Sequence, residues 1–96
     1  MIFFNIQQAR NMLVKEGLVY TLRSEFRKTG RTEAVMGTMR QNFLICPVEI
    51  TRVIMVNQPS DLDPYLQHSG FNNVDTWLSM AAPSARTVYK VIRIKE

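Results

Sequence analysis

The sequence predicts a single α+β domain, mainly β with short helices: a small mixed β-barrel whose helices cover its ends. Three observations predict it. First, 96 residues leave room for one hydrophobic core and no second. Second, about six short apolar or β-branched runs are separated by turn residues. Third, the runs in the middle follow one another with no helix between them, which favours antiparallel pairing over a doubly wound sheet. That many short strands in so short a chain close on themselves more readily than they spread flat.

The elements follow in order. Met1 to Phe4 is a short apolar strand. Asn5 is placed to cap a helix over residues 5–16, in which Ile6, Ala9, Leu13 and, less well placed, Met12 form the apolar stripe. Lys15 suits the negative end of that helix and Gly17 can stop it. Leu18 to Leu22 is β-branched and aromatic and reads as a strand. Residues 24–33, polar and aperiodic around Gly30, read as a loop, and AVMGTM returns to a strand in which Gly37 marks a bulge or a close approach. The stretch FLICPVEITRVIMV is the longest apolar region, with Pro47 at an edge or bend. Neither of its alternating faces is cleanly polar, as expected where both sides of a barrel wall are partly covered. Asp63-Pro64 reads as cap and first residue of a short helix that Gly70 stops, with Asp61 a second cap residue. Asn72 or Asn73 caps another helix through Val74, Trp77 and Leu78, and RTVYKVIRIKE is the final strand.

Composition excludes several classes of function. Hydrophobic residues are 46% and charged residues 21%, a globular balance rather than a disordered one. The single cysteine, Cys46, rules out an intrachain disulfide and fits a reducing compartment, so a cytoplasmic location is expected. No apolar run approaches the roughly 20 residues of a membrane-spanning helix, and MIFFNIQQAR lacks the features of a signal peptide. One histidine and one cysteine offer no metal-ligand spacing, and no phosphate loop or dinucleotide fingerprint is present. Neither a metal nor a cofactor is expected. Ser69 beside His68 is no triad, because adjacency in sequence does not build one.

The formal charge of +4 is unevenly placed. Residues 23–40 carry Arg23, Arg27, Lys28, Arg31 and Arg40 against Glu25 and Glu33. Residues 76–96 carry Arg86, Lys90, Arg93 and Lys95 against Glu96, and the stretch between these two is acidic. An anionic partner would meet the two basic stretches together. Arg27, Lys28 and Arg31 around Gly30 can lie along a sugar–phosphate backbone. The plainer reading is a solvated loop. Thr21 and Arg23, two apart on one strand, share a face from which a hydroxyl and a guanidinium fork can meet one ligand. The plainer reading pairs Arg23 with Glu25 or Glu49. Phe26 is the best placed aromatic for stacking on an unpaired base; Tyr20 and Tyr89 fit barrel-wall packing better, and Phe71 and Trp77 fit anchoring of the helical segment.

A helix ending at Gly17, the Thr-x-Arg of "VYTLR", a basic loop, then "EITRV", "HSGFNNVDTWL" and a terminal "VYKVIRI" resemble in order and spacing the ASCH domains of the PUA-like superfamily. The resemblance implies a PUA-like barrel over residues 1–96, with a cleft beside the Thr-x-Arg strand facing RNA or another nucleotide-like ligand. Together with the charge and stacking readings above, this cleft gives the expected nucleic-acid-binding site: Thr21, Arg23, Phe26, Arg27, Lys28 and Arg31. One branch of the family hydrolyses acetylcytidine with a lysine, a threonine and a glutamate. Here the threonine matches Thr21, but Leu18 stands where the lysine is expected, and Gln67, His68 and Ser69 precede Gly70 without a glutamate. The resemblance therefore favours a nucleic-acid-binding module over a hydrolase of modified nucleosides, with no catalytic residue assigned. A protein-interaction domain, dimerising through residues 43–56, is the remaining alternative; as a binding module the chain could be monomer or homodimer.

Overall fold

The computed structural model describes residues 1–24 and 28–95. The chain is a mixed α+β fold: a five-stranded sheet curled into a half-barrel, accompanied by three short helices. Strand β1 (Ile2–Phe3) leads to helix α1 (Gln7–Glu16), then to β2 (Leu18–Arg23), β3 (Gly30–Gly37) and β4 (Asn42–Met55). A 3-10 helix (Pro59–His68) and helix α2 (Val74–Met80) intervene before β5 (Thr87–Arg93). The order across the sheet is β1-β3-β4-β5-β2, so β1 and β2 are its two edges. Pairing is antiparallel as expected, except that β1 runs parallel to β3. Five strands replace the expected six because FLICPVEITRVIMV is one strand rather than several.

That long strand supplies the curl. Ala34 faces Cys46 but Val35 faces Leu44, so Ile45 is an extra residue on β4. Arg52 faces Tyr89 but Ile54 faces Val88, so Val53 is a second. Each bulge bends and twists its strand. Pro47 is tolerated in a central strand because its backbone groups face β5 at the end of that strand: its carbonyl accepts the Ile94 N–H, one residue past β5, so the missing N–H interrupts neither ladder. The second bulge also explains the mixed faces. Val48 and Ile50 are buried and Glu49 and Thr51 exposed; past Val53 the alternation loses its phase.

The curl divides the core in two. On one face Ile2, Phe4, Val19, Val48, Tyr89 and Val91 pack with Ala9 and Leu13 of α1. On the other, Leu22 and Val88 pack with Leu62, Phe71 and Trp77 from the helical segment. Helix α1 is secured at its C-terminus as the sequence suggests: Gly17 adopts φ 74° and its N–H donates to the Leu13 carbonyl. Arg93 of β5 adds a donor to the Val14 carbonyl.

Several local expectations are corrected. Asn5 does not cap α1, whose cap position is Ile6 without a side-chain bond. Asn5 instead grips Gly37: its Nδ2 donates to the Gly37 carbonyl at 2.9 Å, and its Oδ1 accepts the Gly37 N–H at 2.7 Å. The expected loop over 24–33 gives way at Gly30, because β3 extends four residues further upstream to pair with β4. The 3-10 helix opens at Pro59, so Pro64 lies inside it and Asp63 is not its cap. Asp61 does serve its start, accepting the N–H groups of Asn57 and Gln58, which hold its carboxyl below the usual range. Asn73 caps α2 by accepting the Thr76 N–H at 2.8 Å. Gly70 does more than end a helix. At φ 91° it presses against α1, and a Cβ there would sit 2.4 Å from the Gln8 carbonyl oxygen.

Candidate functional site

Edge strands of a curled sheet leave a slot between them, and here it is spanned by one side chain. Thr21 and Arg23 lie on the same side of β2, and the Arg23 Nε donates to Thr21 Oγ1 at 2.9 Å. The Arg23 Nη2 reaches across to the Phe3 carbonyl of β1 at 2.7 Å. Its guanidinium carbon stands 5.1 Å from the centre of the Phe4 ring, within range of a cation–π attraction. Arg10 of α1 donates to the next carbonyl, that of Phe4, at 3.1 Å. The carbonyls at the end of β1 are thus held by two cations.

Around this bridge lies a cavity of about 360 Å³, within the usual range of small-molecule pockets, about 300–1,000 Å³. One wall is Phe3 and Phe4 with Asn5, Ile6 and Ala9 following. The opposite wall is β2 from Tyr20 through Arg23, continued by Ser24. Phe71 and Trp77 close a third side, with Met80 to Ala82 at the end of α2. Phe71 and Trp77 stack on each other, their ring centres 6.4 Å apart and their planes within 18°. Tyr20 leans on Tyr65 at 4.9 Å. The lining is therefore largely aromatic and aliphatic, with a few fixed polar groups.

Those polar groups are not equivalent. Ser69, wholly buried, donates to the Leu66 carbonyl and accepts the Phe71 N–H, so its hydroxyl is committed to the turn. Asn5 is committed to Gly37. Thr21, only 7% exposed, accepts from Arg23, while its own hydroxyl proton meets no acceptor among the described residues. A buried hydroxyl with an unspent proton favours a ligand acceptor beside it. Arg23 is the only charged side chain among the described residues of the lining.

Of the six residues expected at the site, Thr21 and Arg23 share the cavity. Lys28 and Arg31 do not line it. Lys28 is exposed before β3, and Arg31 stands opposite Glu49 in the β3–β4 ladder. Phe26 and Arg27 lie outside the described residues, as does Glu25, one of the two partners considered for Arg23. Tyr89 is fully buried in the core, as wall packing requires, whereas Tyr20 reaches the cavity. Phe71 and Trp77 both anchor the helical segment and line the cavity. Phe3 and Phe4 had no functional reading from sequence; consecutive residues of an extended segment point to opposite faces, and that alternation is the signal they carry.

Cys46 is half-buried against the core cluster that α1 covers, and desolvation pushes its thiol up despite the opposing charge of Arg93. No cluster of three potential metal ligands occurs among the described residues. No helix is long and apolar enough to cross a membrane among the described residues. No family model, no curated protein and no solved structure matches this chain.

Proposed function

We propose that the chain is a PUA-like module that binds RNA or a nucleotide-like ligand in the cavity beside the Thr-x-Arg strand. The observation that carries this reading is the cavity itself: Thr21 and Arg23, singled out by spacing, line one concavity with Tyr20, Phe71 and Trp77. Aromatic walls suit a flat heterocycle, and base stacking on aromatic side chains contributes about 1–3 kcal/mol per base. The Thr21 hydroxyl and the Arg23 guanidinium suit the acceptor oxygens and ring nitrogens of a nucleotide. The +4 charge favours approach of a polyanion, with Lys28 and Arg31 acting at a distance rather than in the cavity.

A binding role is favoured over a hydrolytic one because the described lining offers no carboxylate, lysine or imidazole. Self-association is a second reading with its own observation: Met39, Phe43 and Leu44 expose large apolar side chains around the β3–β4 turn.

Trp77 is the lone tryptophan and lines the cavity, so its fluorescence reports on occupancy. Titration with nucleoside monophosphates and with short single-stranded RNA is expected to saturate that signal, the RNA binding more weakly as salt rises from about 50 to 200 mM. An unchanged Trp77 signal with every nucleotide and RNA would refute the reading.

A further inference from the structure

The cavity is lined by consecutive residues of one strand, Tyr20 through Arg23, whose side chains alternate between the two faces of the sheet. A cavity that touches both faces of a strand lies along its edge. β2 is an edge strand, paired only with β5. Its backbone polar groups alternate between the β5 side and the open side, and two bonds set the phase. Arg93 donates its N–H to the Gly17 carbonyl, and Arg86 donates its N–H to the Arg23 carbonyl. The odd-numbered residues of β2 therefore turn their backbone groups toward β5. Those of Tyr20 and Leu22 turn the other way, along the open edge that the cavity follows. They have no partner there among the described residues.

We propose that this open edge recognises the ligand: the Tyr20 carbonyl accepts a hydrogen bond from it and the Leu22 N–H donates one to it. The pair presents an acceptor and a donor side by side, facing one way. Its complement is a planar heterocycle with adjacent donor and acceptor on one edge, which is the Watson–Crick edge of a nucleobase. The Thr21 hydroxyl, between them in sequence with its proton unspent, can add a third contact. Unpaired edge groups have to be satisfied by something when the slot is filled, and a base satisfies them in its own plane while its faces meet the aromatic walls. A base already paired in a duplex has spent that edge, so the inference selects an unpaired base. It rests on the nucleotide reading above and adds the atoms that read the base.

The test uses the intact chain with nucleotides altered only on the edge in question. Adenosine monophosphate and uridine monophosphate are compared with their forms methylated at adenine N1 and uracil N3, with Trp77 fluorescence and the amide proton of Leu22 as readouts. Binding of the unmodified nucleotides should move the Leu22 amide resonance downfield, and methylation should weaken binding about tenfold or more, the loss expected for one hydrogen bond. A single-stranded RNA should bind and the same strand in a duplex should not. Equal binding of methylated and unmodified nucleotides, or a Leu22 amide that does not move on saturation, overturns the edge readout while leaving nucleotide binding intact. Absence of any Trp77 response overturns both.

Discussion

Arg23 on β2 donates to the Phe3 carbonyl on β1 at 2.7 Å, and this bond joins the two opposite edges of the curled sheet. Among the described residues no backbone ladder links those edges, so a side chain does what a sixth strand would do in a closed barrel. The same guanidinium braces Thr21 and lies over Phe4. The bridge between the edges and a place in the cavity lining thus fall on one residue.

Replacing Arg23 with alanine removes its bonds to Thr21 and Phe3 and the ring contact with Phe4. Because the group is only half-buried, the expected loss of stability is about 1–2 kcal/mol, read from urea denaturation. Arg23→Lys keeps the charge but offers a point donor that cannot span Thr21 and Phe3 together, so most of that loss should remain. Nucleotide affinity should fall further for Arg23→Ala than for Lys28→Ala, which stands outside the cavity. Equal effects of the two would separate Arg23 from ligand binding.

Thr21 allows a cleaner division between bracing and recognition. Thr21→Val preserves shape and removes the hydroxyl, leaving the Arg23 Nε without its acceptor and the ligand without a donor. We expect about 1 kcal/mol lost in stability and about tenfold lost in nucleotide affinity. Thr21→Ser should retain most of both. A valine variant that binds nucleotide as well as the parent would show that the hydroxyl serves the fold alone.

How much of this was legible in the sequence depends on whether the cause is local. Gly17 and Asn73 act within a turn of their own helices; the stop at Gly17 is readable from residue type and position, and the cap of α2 narrows to Asn72 or Asn73. Asn5 was misplaced because its partner, Gly37, is thirty-two residues away; a side chain that can cap a helix can equally hold a strand end. The Thr-x-Arg pair was legible as a pair, since a spacing of two fixes a shared face. That β2 is an edge, and that its open side borders a cavity, depends on strand order, which no local pattern encodes. Lys28 and Arg31 show the opposite error: nearness in sequence to Arg23 did not bring them into its cavity, because β3 carries Arg31 to the far side of the sheet order, beside Glu49.

Gly70 joins the helical segment to α1 and so sets the third wall of the cavity. Its backbone conformation at φ 91° disfavours any side chain, and a Cβ would meet the Gln8 carbonyl oxygen at 2.4 Å. Gly70→Ala is expected to cost about 1–3 kcal/mol in strain and to push Phe71 and Trp77 away from β2. A lowered melting temperature together with a red-shifted Trp77 emission would record both effects. A variant as stable as the parent with unchanged emission would show that the contact is not needed.

Cys46 gives the pH dependence a definite sign. Desolvation raises its pKa above the ordinary thiol value of 9.0, with the Arg93 charge acting against that shift. At neutral pH the thiolate fraction is therefore smaller in the folded chain than in the unfolded one, and alkylation by iodoacetamide should be slower natively than in denaturant. The linkage runs the same way. The folded state keeps the proton to higher pH, so the thiol's contribution to stability is intact below the unfolded pKa and declines as pH rises above it. Cys46→Ser should flatten the alkaline decline of stability between the unfolded thiol pKa and the higher folded one. An unchanged alkaline slope in the serine variant, or native alkylation as fast as in denaturant, would show that burial does not control this thiol.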